Sequence, residues 1–296
     1  MDAQATGIGK HAAQAGRWLR FVPGPSHLVL DSPHSGTCYP DDFRPACTLQ
    51  ALRDAEDTHV EKLFDFAPAL GVAWLEAMFP RTYLDVNRSL EEIDVEMISG
   101  CWQGPVPASA AHRAKVRLGK GLLWRCLDDG TPLYDRALEP AEVTTRIDTC
   151  WHPYHLGLAQ ALDAASERHG GAIHLNCHSM PAVAGPLATD HPGQRHPDFV
   201  LGDRDGTTAA PALAARVLDF LRARGHSVGL NHPYKGVELV RRHGNPAAHR
   251  HSLQLEINRA LYMDESTRAL HEGADALRTT LRELVALLLA TDLRSV

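Results

Sequence analysis

The segment HLNCHSMPA, His174 to Ala182, sets two histidines four residues apart, with a cysteine beside the second, at the end of an apolar run. Other apolar runs also deliver reactive side chains. His34 follows HLVLD, Asn87 and Arg88 follow RTYLDV, Asn231 and His232 follow SVGL, and Glu256 lies inside SLQLEIN. Two imidazoles and one carboxylate are a common catalytic zinc set that leaves a position open for water. His34 and His178 are the imidazole candidates, and Asp57 or Glu56 could supply the carboxylate. Water on such an ion ionises near neutral pH and becomes a nucleophile. Glu256, on a different strand, could take its proton. Asn87 beside Arg88 offers an amide and a guanidinium fork, suited to holding a substrate carboxylate.

Each residue also has a plainer reading. A single histidine in a loop is more often hydrogen-bonded or solvated than a ligand. Asp57 could simply favour a helix N-terminus, where a negative charge meets the helix dipole well. His174 lies within its strand and is expected to pack or hydrogen-bond, and the HPYH run at 152–155 is expected to enter a helix. Glu256 resists such a reading, because a charge in a buried strand needs a partner or a function. The helix-borne HExxH pattern, the GxSxG elbow and a phosphate loop in strand-to-helix context are all absent. Ser35 and Ser179 neighbour histidines in sequence, which alone makes no nucleophile and base.

The elements that must position these groups follow from periodicity. HLVLD, VAWLEAMF, RTYLDVN, AIHLN, SVGLN and SLQLEIN read as strands, with the NCHSMP cluster as a loop after AIHLN. Apolar spacing at Val60, Leu63, Phe64 and Ala67 predicts a helix over 58–70. Further helices are expected from Pro153 to Gly170, over TAAPALAARVLDFLRARG, and from about Glu265 to Leu289. Residues 92–150 read as a loop and hairpin insertion containing Arg117, Arg125 and Arg146, candidates to steady an oxyanion. Strands alternating with helices predict an α/β fold with a mainly parallel, mixed central sheet covered on both faces. In such sheets sites lie beyond the carboxyl ends of strands. The expected organisation is a loose leader over 1–24 and a single α/β domain over 25–296.

Composition narrows the class. Hydrophobic residues make up 44% and charged residues 22%, as in ordinary globular proteins. A net charge of −6 argues against a nucleic-acid partner. No run approaches the roughly 20 apolar residues of a membrane span. Six cysteines without a CxxC pair suggest reduced thiols and a cytoplasmic setting. Eighteen histidines are an unusual number and supply ample imidazole.

The blocks SPHSGTCYPDDF, EDTHVEKLFDFAPALG, FPRTYLDVNRS, PYHLGLAQAL, NCHSMP, FVLGDRDGT, NHPYKG and LQLEINRALYMDE occur in this order over about residues 27–266. Together they resemble the N-formylglutamate amidohydrolase family. The resemblance implies a zinc hydrolase that cleaves N-formyl-L-glutamate to formate and glutamate, a late step of histidine breakdown. It also implies a fold like that of zinc carboxypeptidases. It makes His34, Asp57 and His178 the zinc ligands and Glu256 the general base and later proton donor. Asn87 and Arg88 would hold a substrate carboxylate. Two departures stand out: Asn176 where many relatives carry Asp, and Val237 where the usual PYKGG has a second Gly. Competing expectations are a hydrolase of another N-acyl amino acid (acetyl, succinyl or peptide-linked) and a metal-binding module without turnover.

Overall fold

The computed structural model of the chain describes residues 17–185 and 192–296. Its strands are β1 (Leu19–Val22), β2 (Leu28–Ser32), β3 (Ala73–Ala77), β4 (Ala172–Met180), β5 (Phe199–Gly202), β6 (Val228–Leu230) and β7 (Arg250–Asn258). They form one seven-stranded sheet in the order β1-β3-β2-β4-β7-β5-β6. The pairs β2–β4, β4–β7 and β5–β6 are parallel, and β5 runs antiparallel to β7, so the sheet is mixed. The helices are α1 (Leu49–Arg53), α2 (Val60–Leu63), α3 (Ala110–Arg117), α4 (Pro140–Arg146), α5 (His152–His169), α6 (Pro211–Ala223), α7 (Glu238–His243) and α8 (Gly273–Leu289). None is long and apolar enough to cross a membrane.

The chain groups into two compact units, each discontinuous in sequence. The larger contains Phe21–Ser32, Asp57–Leu75 and Leu158–Val296, and with them most of the sheet. Its central strands are two-faced, because successive side chains on a strand point to opposite sides. Ile173, Leu175 and Cys177 of β4, with Leu253, Leu255 and Ile257 of β7, enter an apolar cluster. Helix α8 feeds Leu277, Leu281, Leu284, Val285 and Leu288 into it, at the spacing of one helix face. Truncating one such leucine to alanine costs about 2–5 kcal/mol. The alternate positions, His174, Asn176, His178, Ser252, Gln254 and Glu256, are also buried and carry the polar groups described below.

The other unit contains Pro33–Glu56 and Glu76–Gly157, with the described residues up to Arg20. At its centre Arg146 is fully buried; it pairs with Glu142, donates to Tyr134 Oη and the Tyr83 carbonyl, and lies 4.1 Å from the centre of the Tyr83 ring. Phe43 packs edge-on against both tyrosine rings. A buried guanidinium is tolerated because both of its terminal nitrogens meet acceptors and its carbon lies over an aromatic face.

Several elements differ from the sequence reading. The NCHSMP cluster is not a loop, since β4 runs unbroken to Met180. RTYLDVN is not a strand but a series of turns. Asp85 accepts from the Asn87 amide at 2.9 Å, and its carbonyl accepts from the Arg88 amide at 3.1 Å. An aspartate that bonds the backbone two residues ahead favours a turn over a ladder. The predicted 58–70 helix is a short α2 followed by a 3₁₀ turn at Ala67–Leu70. Pro68 explains the break, because its ring would clash with the carbonyl of Phe64 in a continuous helix. The helix expected to begin at Pro153 begins at Pro140 and passes through a π-helical turn, Ile147–Trp151, just ahead of Pro153. The last helix starts at Gly273 rather than near Glu265. Most of the expected leader, residues 1–16, lies outside the described residues, and Leu19–Val22 forms a strand.

Candidate metal centre

Among the described residues, His34, Asp57 and His178 form a group whose ligand atoms all lie within 4.8 Å of one another, and all three are buried. Asp57 and His178 are 121 positions apart along the chain, so only the fold assembles the group.

His178 is held from both sides. Its Nδ1 lies 2.9 Å from Asp57 Oδ2, and its Nε2 lies 2.7 Å from Asn176 Oδ1. The amide oxygen can only accept, so Nε2 carries the proton and Nδ1 is the nitrogen left for an ion. Asp57 sits in the turn before α2, where His59 adopts a left-handed φ of 68°. Tyr262 Oη donates to the Thr58 carbonyl at 2.9 Å and ties that turn down. Asp57 therefore serves the histidine, and the short helix takes no side-chain cap. Its second oxygen lies 3.5 Å from Arg259, whose Nε also donates to Ser179 Oγ at 3.1 Å.

His34 directs Nε2 to Asp85 Oδ1 at 2.8 Å, again leaving Nδ1. Asp85 also accepts from Arg81 at 3.0 Å and from the Trp124 indole at 3.3 Å. Burial alone would raise the Asp85 carboxyl, but His34, Arg81 and Arg88 outweigh it and hold the group well below the usual carboxylate range. A carboxylate behind a ligating imidazole fixes the tautomer and raises the basicity of the ring.

Glu256 stands opposite His178 in the parallel β4–β7 register. It is 7% exposed, and Gln254 Nε2 donates to its Oε1 at 2.9 Å. It is not part of the ligand group. The candidate residues therefore lie on the strands themselves, on one face of β4 and β7, as well as at their ends.

Asn87 and Arg88 are buried in the turns after Asp85. Arg88 donates Nε to the Lys120 carbonyl at 2.8 Å and Nη1 to the Asn87 carbonyl at 3.1 Å, and its own carbonyl accepts from Trp151. These bonds fix the plane of the guanidinium. Glu56, the alternative carboxylate, instead accepts from Tyr39 Oη at 2.6 Å. His174 bonds Ser252 and Asp31 within the strands, as its position suggested. Of the arginine candidates in the insertion, Arg146 is enclosed by its own acceptors, and Arg125 pairs with Asp94 at 2.8 Å. Arg117 lies on the exposed α3. Sequence reasoning missed Asp85, Asp31, Gln254 and Arg259. The acidic residue directly before VNR was a visible signal for Asp85, and the alternation of SLQLEIN placed Gln254 on the face of Glu256.

The donor set fits zinc: two imidazole nitrogens and a carboxylate oxygen, buried together, with both rings oriented by hydrogen bonds at their far nitrogens.

Comparison with known proteins identifies the family. The model of the N-formylglutamate amidohydrolase family matches residues 26–263. An N-formylglutamate deformylase of Pseudomonas aeruginosa is 32% identical over 282 residues, 92% of this chain and 96% of the relative. Its Pseudomonas putida counterpart is 30% identical over 279 residues, with the same shares covered. The crystal structure of N-formylglutamate amidohydrolase from Ralstonia eutropha JMP134 superposes with a TM-score of 0.85 at 42% identity, over 94% of this chain and 99% of that one. Sequence and fold lead to the same assignment, and the chain belongs to the N-formylglutamate amidohydrolase family.

Proposed function

We propose that this protein is a zinc-dependent amidohydrolase that cleaves N-formyl-L-glutamate to formate and L-glutamate. The observation that carries the reading is the convergence of His34, Asp57 and His178, with Glu256 in register with His178 on the neighbouring strand. The names of the relatives supply the substrate class.

A zinc ion held by these three residues would supply Lewis-acid activation of water and of the formyl carbonyl. Glu256 takes the proton of the attacking water and then hands it to the departing nitrogen, so a single carboxylate serves as base and acid. Gln254 donates to one oxygen of Glu256 and helps to hold the carboxylate in place. Asp85 and Asn176 keep the two imidazoles oriented through their Nε2 atoms. Asn87 and Arg88 bind a carboxylate of the substrate; Arg88, already fixed by two carbonyls, loses little freedom when it does so. Rigid placement matters, because a displacement of about 1 Å can cost on the order of a hundredfold in rate.

The test is a panel of N-formyl, N-acetyl and N-succinyl glutamates and aspartates, assayed with metal analysis of the same sample. Fastest turnover of N-formyl-L-glutamate by zinc-loaded protein is expected. Preference for another acyl group would make it a different N-acyl amino acid hydrolase, and stoichiometric zinc without turnover of any member would make it a binding module.

A further inference from the structure

The two histidines of the metal group are backed differently. His34 meets the carboxylate of Asp85 directly, whereas His178 meets a neutral amide, Asn176. An amide is an ambiguous partner, since it accepts through oxygen but donates through nitrogen if it turns over. Something must fix its direction.

Asp31 does so. Asn176 Nδ2 lies 2.7 Å from Asp31 Oδ1, and the same oxygen lies 3.0 Å from His174 Nε2. His174 Nδ1 in turn lies 2.7 Å from Ser252 Oγ. All five side chains are buried, and Asp31, His174, Asn176 and Ser252 are fully enclosed. A carboxylate only accepts, so the amide must point its nitrogen at Asp31 and its oxygen at His178. His174 likewise gives Asp31 its Nε2 proton and accepts from the Ser252 hydroxyl. Every donor in the chain therefore points toward Asp31. Reversing Asn176 would set an N–H against Nε2 of His178 and oppose its amide oxygen to the Asp31 carboxylate at 2.7 Å.

We infer that Asp31 is a positioning residue for the metal centre: acting through Asn176, it holds His178 with its proton on Nε2 and its Nδ1 lone pair free for the ion. The carboxylate that His34 meets directly is supplied to His178 one side chain further away. This inference rests on the metal reading above, but its hydrogen-bond direction can be observed without metal.

Asp31→Asn leaves two facing amides whose direction no charge dictates. Partners of this kind are worth about 10- to 100-fold in metal affinity, so zinc affinity, measured by competition with a chromophoric chelator, is expected to fall by about that factor in D31N. The charge-swapped pair D31N/N176D returns a carboxylate to the chain, now touching His178, while the amide introduced on β2 can donate to it. Zinc affinity is expected to recover in this isosteric double variant. The second readout is the ¹⁵N spectrum of metal-free protein. His178 Nε2 should be protonated in the parent and the swapped pair, and partly unprotonated in D31N. Unchanged zinc affinity in D31N, no recovery in the swapped pair, or the same His178 ¹⁵N pattern in all three proteins would overturn the proposal. A parent that takes up no zinc but shows the expected ¹⁵N pattern would remove the metal reading and leave the hydrogen-bond assignment standing.

Discussion

Glu256→Gln separates chemistry from structure at this centre. Glutamine has nearly the shape of glutamate, and its amide oxygen can accept the hydrogen bond that Gln254 Nε2 makes at 2.9 Å. That contact is worth about 1 kcal/mol, so keeping it should leave the melting temperature within a few degrees of the parent. Glu256 lies outside the ligand group, so zinc content should also be unchanged. What disappears is the proton acceptor. Positioned general acid–base groups contribute about 10²–10⁴-fold, or about 2.7–5.5 kcal/mol at about 1.36 kcal/mol per decade. The assay is formate release from N-formyl-L-glutamate, with elemental analysis and a thermal melt on the same preparation. The expected result is a kcat lower by two to four decades on a folded, zinc-loaded protein. A kcat within about threefold of the parent would refute the assignment, and lost zinc with lost activity would place Glu256 among the ligands instead.

Other outcomes can be measured directly. His34→Ala and His178→Ala should each lose stoichiometric zinc by elemental analysis, and retention in either removes that residue from the ligand set. Arg88→Ala should raise KM for N-formyl-L-glutamate by roughly 10-fold or more, the worth of a charge-assisted pair, with much less effect on a neutral formamide; equal loss on both would contradict a carboxylate-binding role. Acid should weaken the unit braced by Arg146. Burial pushes the Glu142 carboxyl up, but hydrogen bonds from Arg136 and the charge of Arg146 outweigh it, so the group sits below its usual value. The unfolded chain then takes up the proton first as pH falls. The contribution of Glu142 is therefore complete above the ordinary glutamate value of about 4.3 and is lost as pH falls through the lower folded value. Urea midpoints across that window should drop less steeply in Glu142→Gln than in the parent, and parallel slopes would sink the assignment.

The candidate ligand residues were legible because histidine and aspartate stood beside apolar runs in an order shared with a known family. Strands β2, β6 and β7 were legible from alternation and β-branched content. The extent of β4 was not, because Asn176, His178 and Ser179 look like loop residues unless something buried is known to receive them. RTYLDVN misled in the opposite sense: its Tyr, Leu and Val are buried singly among turns, and residue type alone does not report that Asp85 bonds the backbone ahead of it. Arg146 read as a free cation for an oxyanion because the spacing of Tyr83 and Tyr134 does not announce that they enclose it. Asp31 passed as the end of an apolar strand, since its partners His174 and Asn176 lie 143 and 145 residues away in sequence.

The division of β4 between an oily side and a polar side carries a consequence for how this segment can change. From Ala172 to Met180 each residue is committed to one side by parity alone. Losing or gaining one residue there would swing His174, Asn176 and His178 into the company of Leu281 and Val285, and would send Ile173, Leu175 and Cys177 out among carboxylates and amides. Only a bulge could absorb such a half-turn, at the cost of ladder hydrogen bonds to β2 or β7. Change in this stretch is least costly as an exchange of side chains in place, and its length is set jointly by the greasy interior and by the polar groups on its other side.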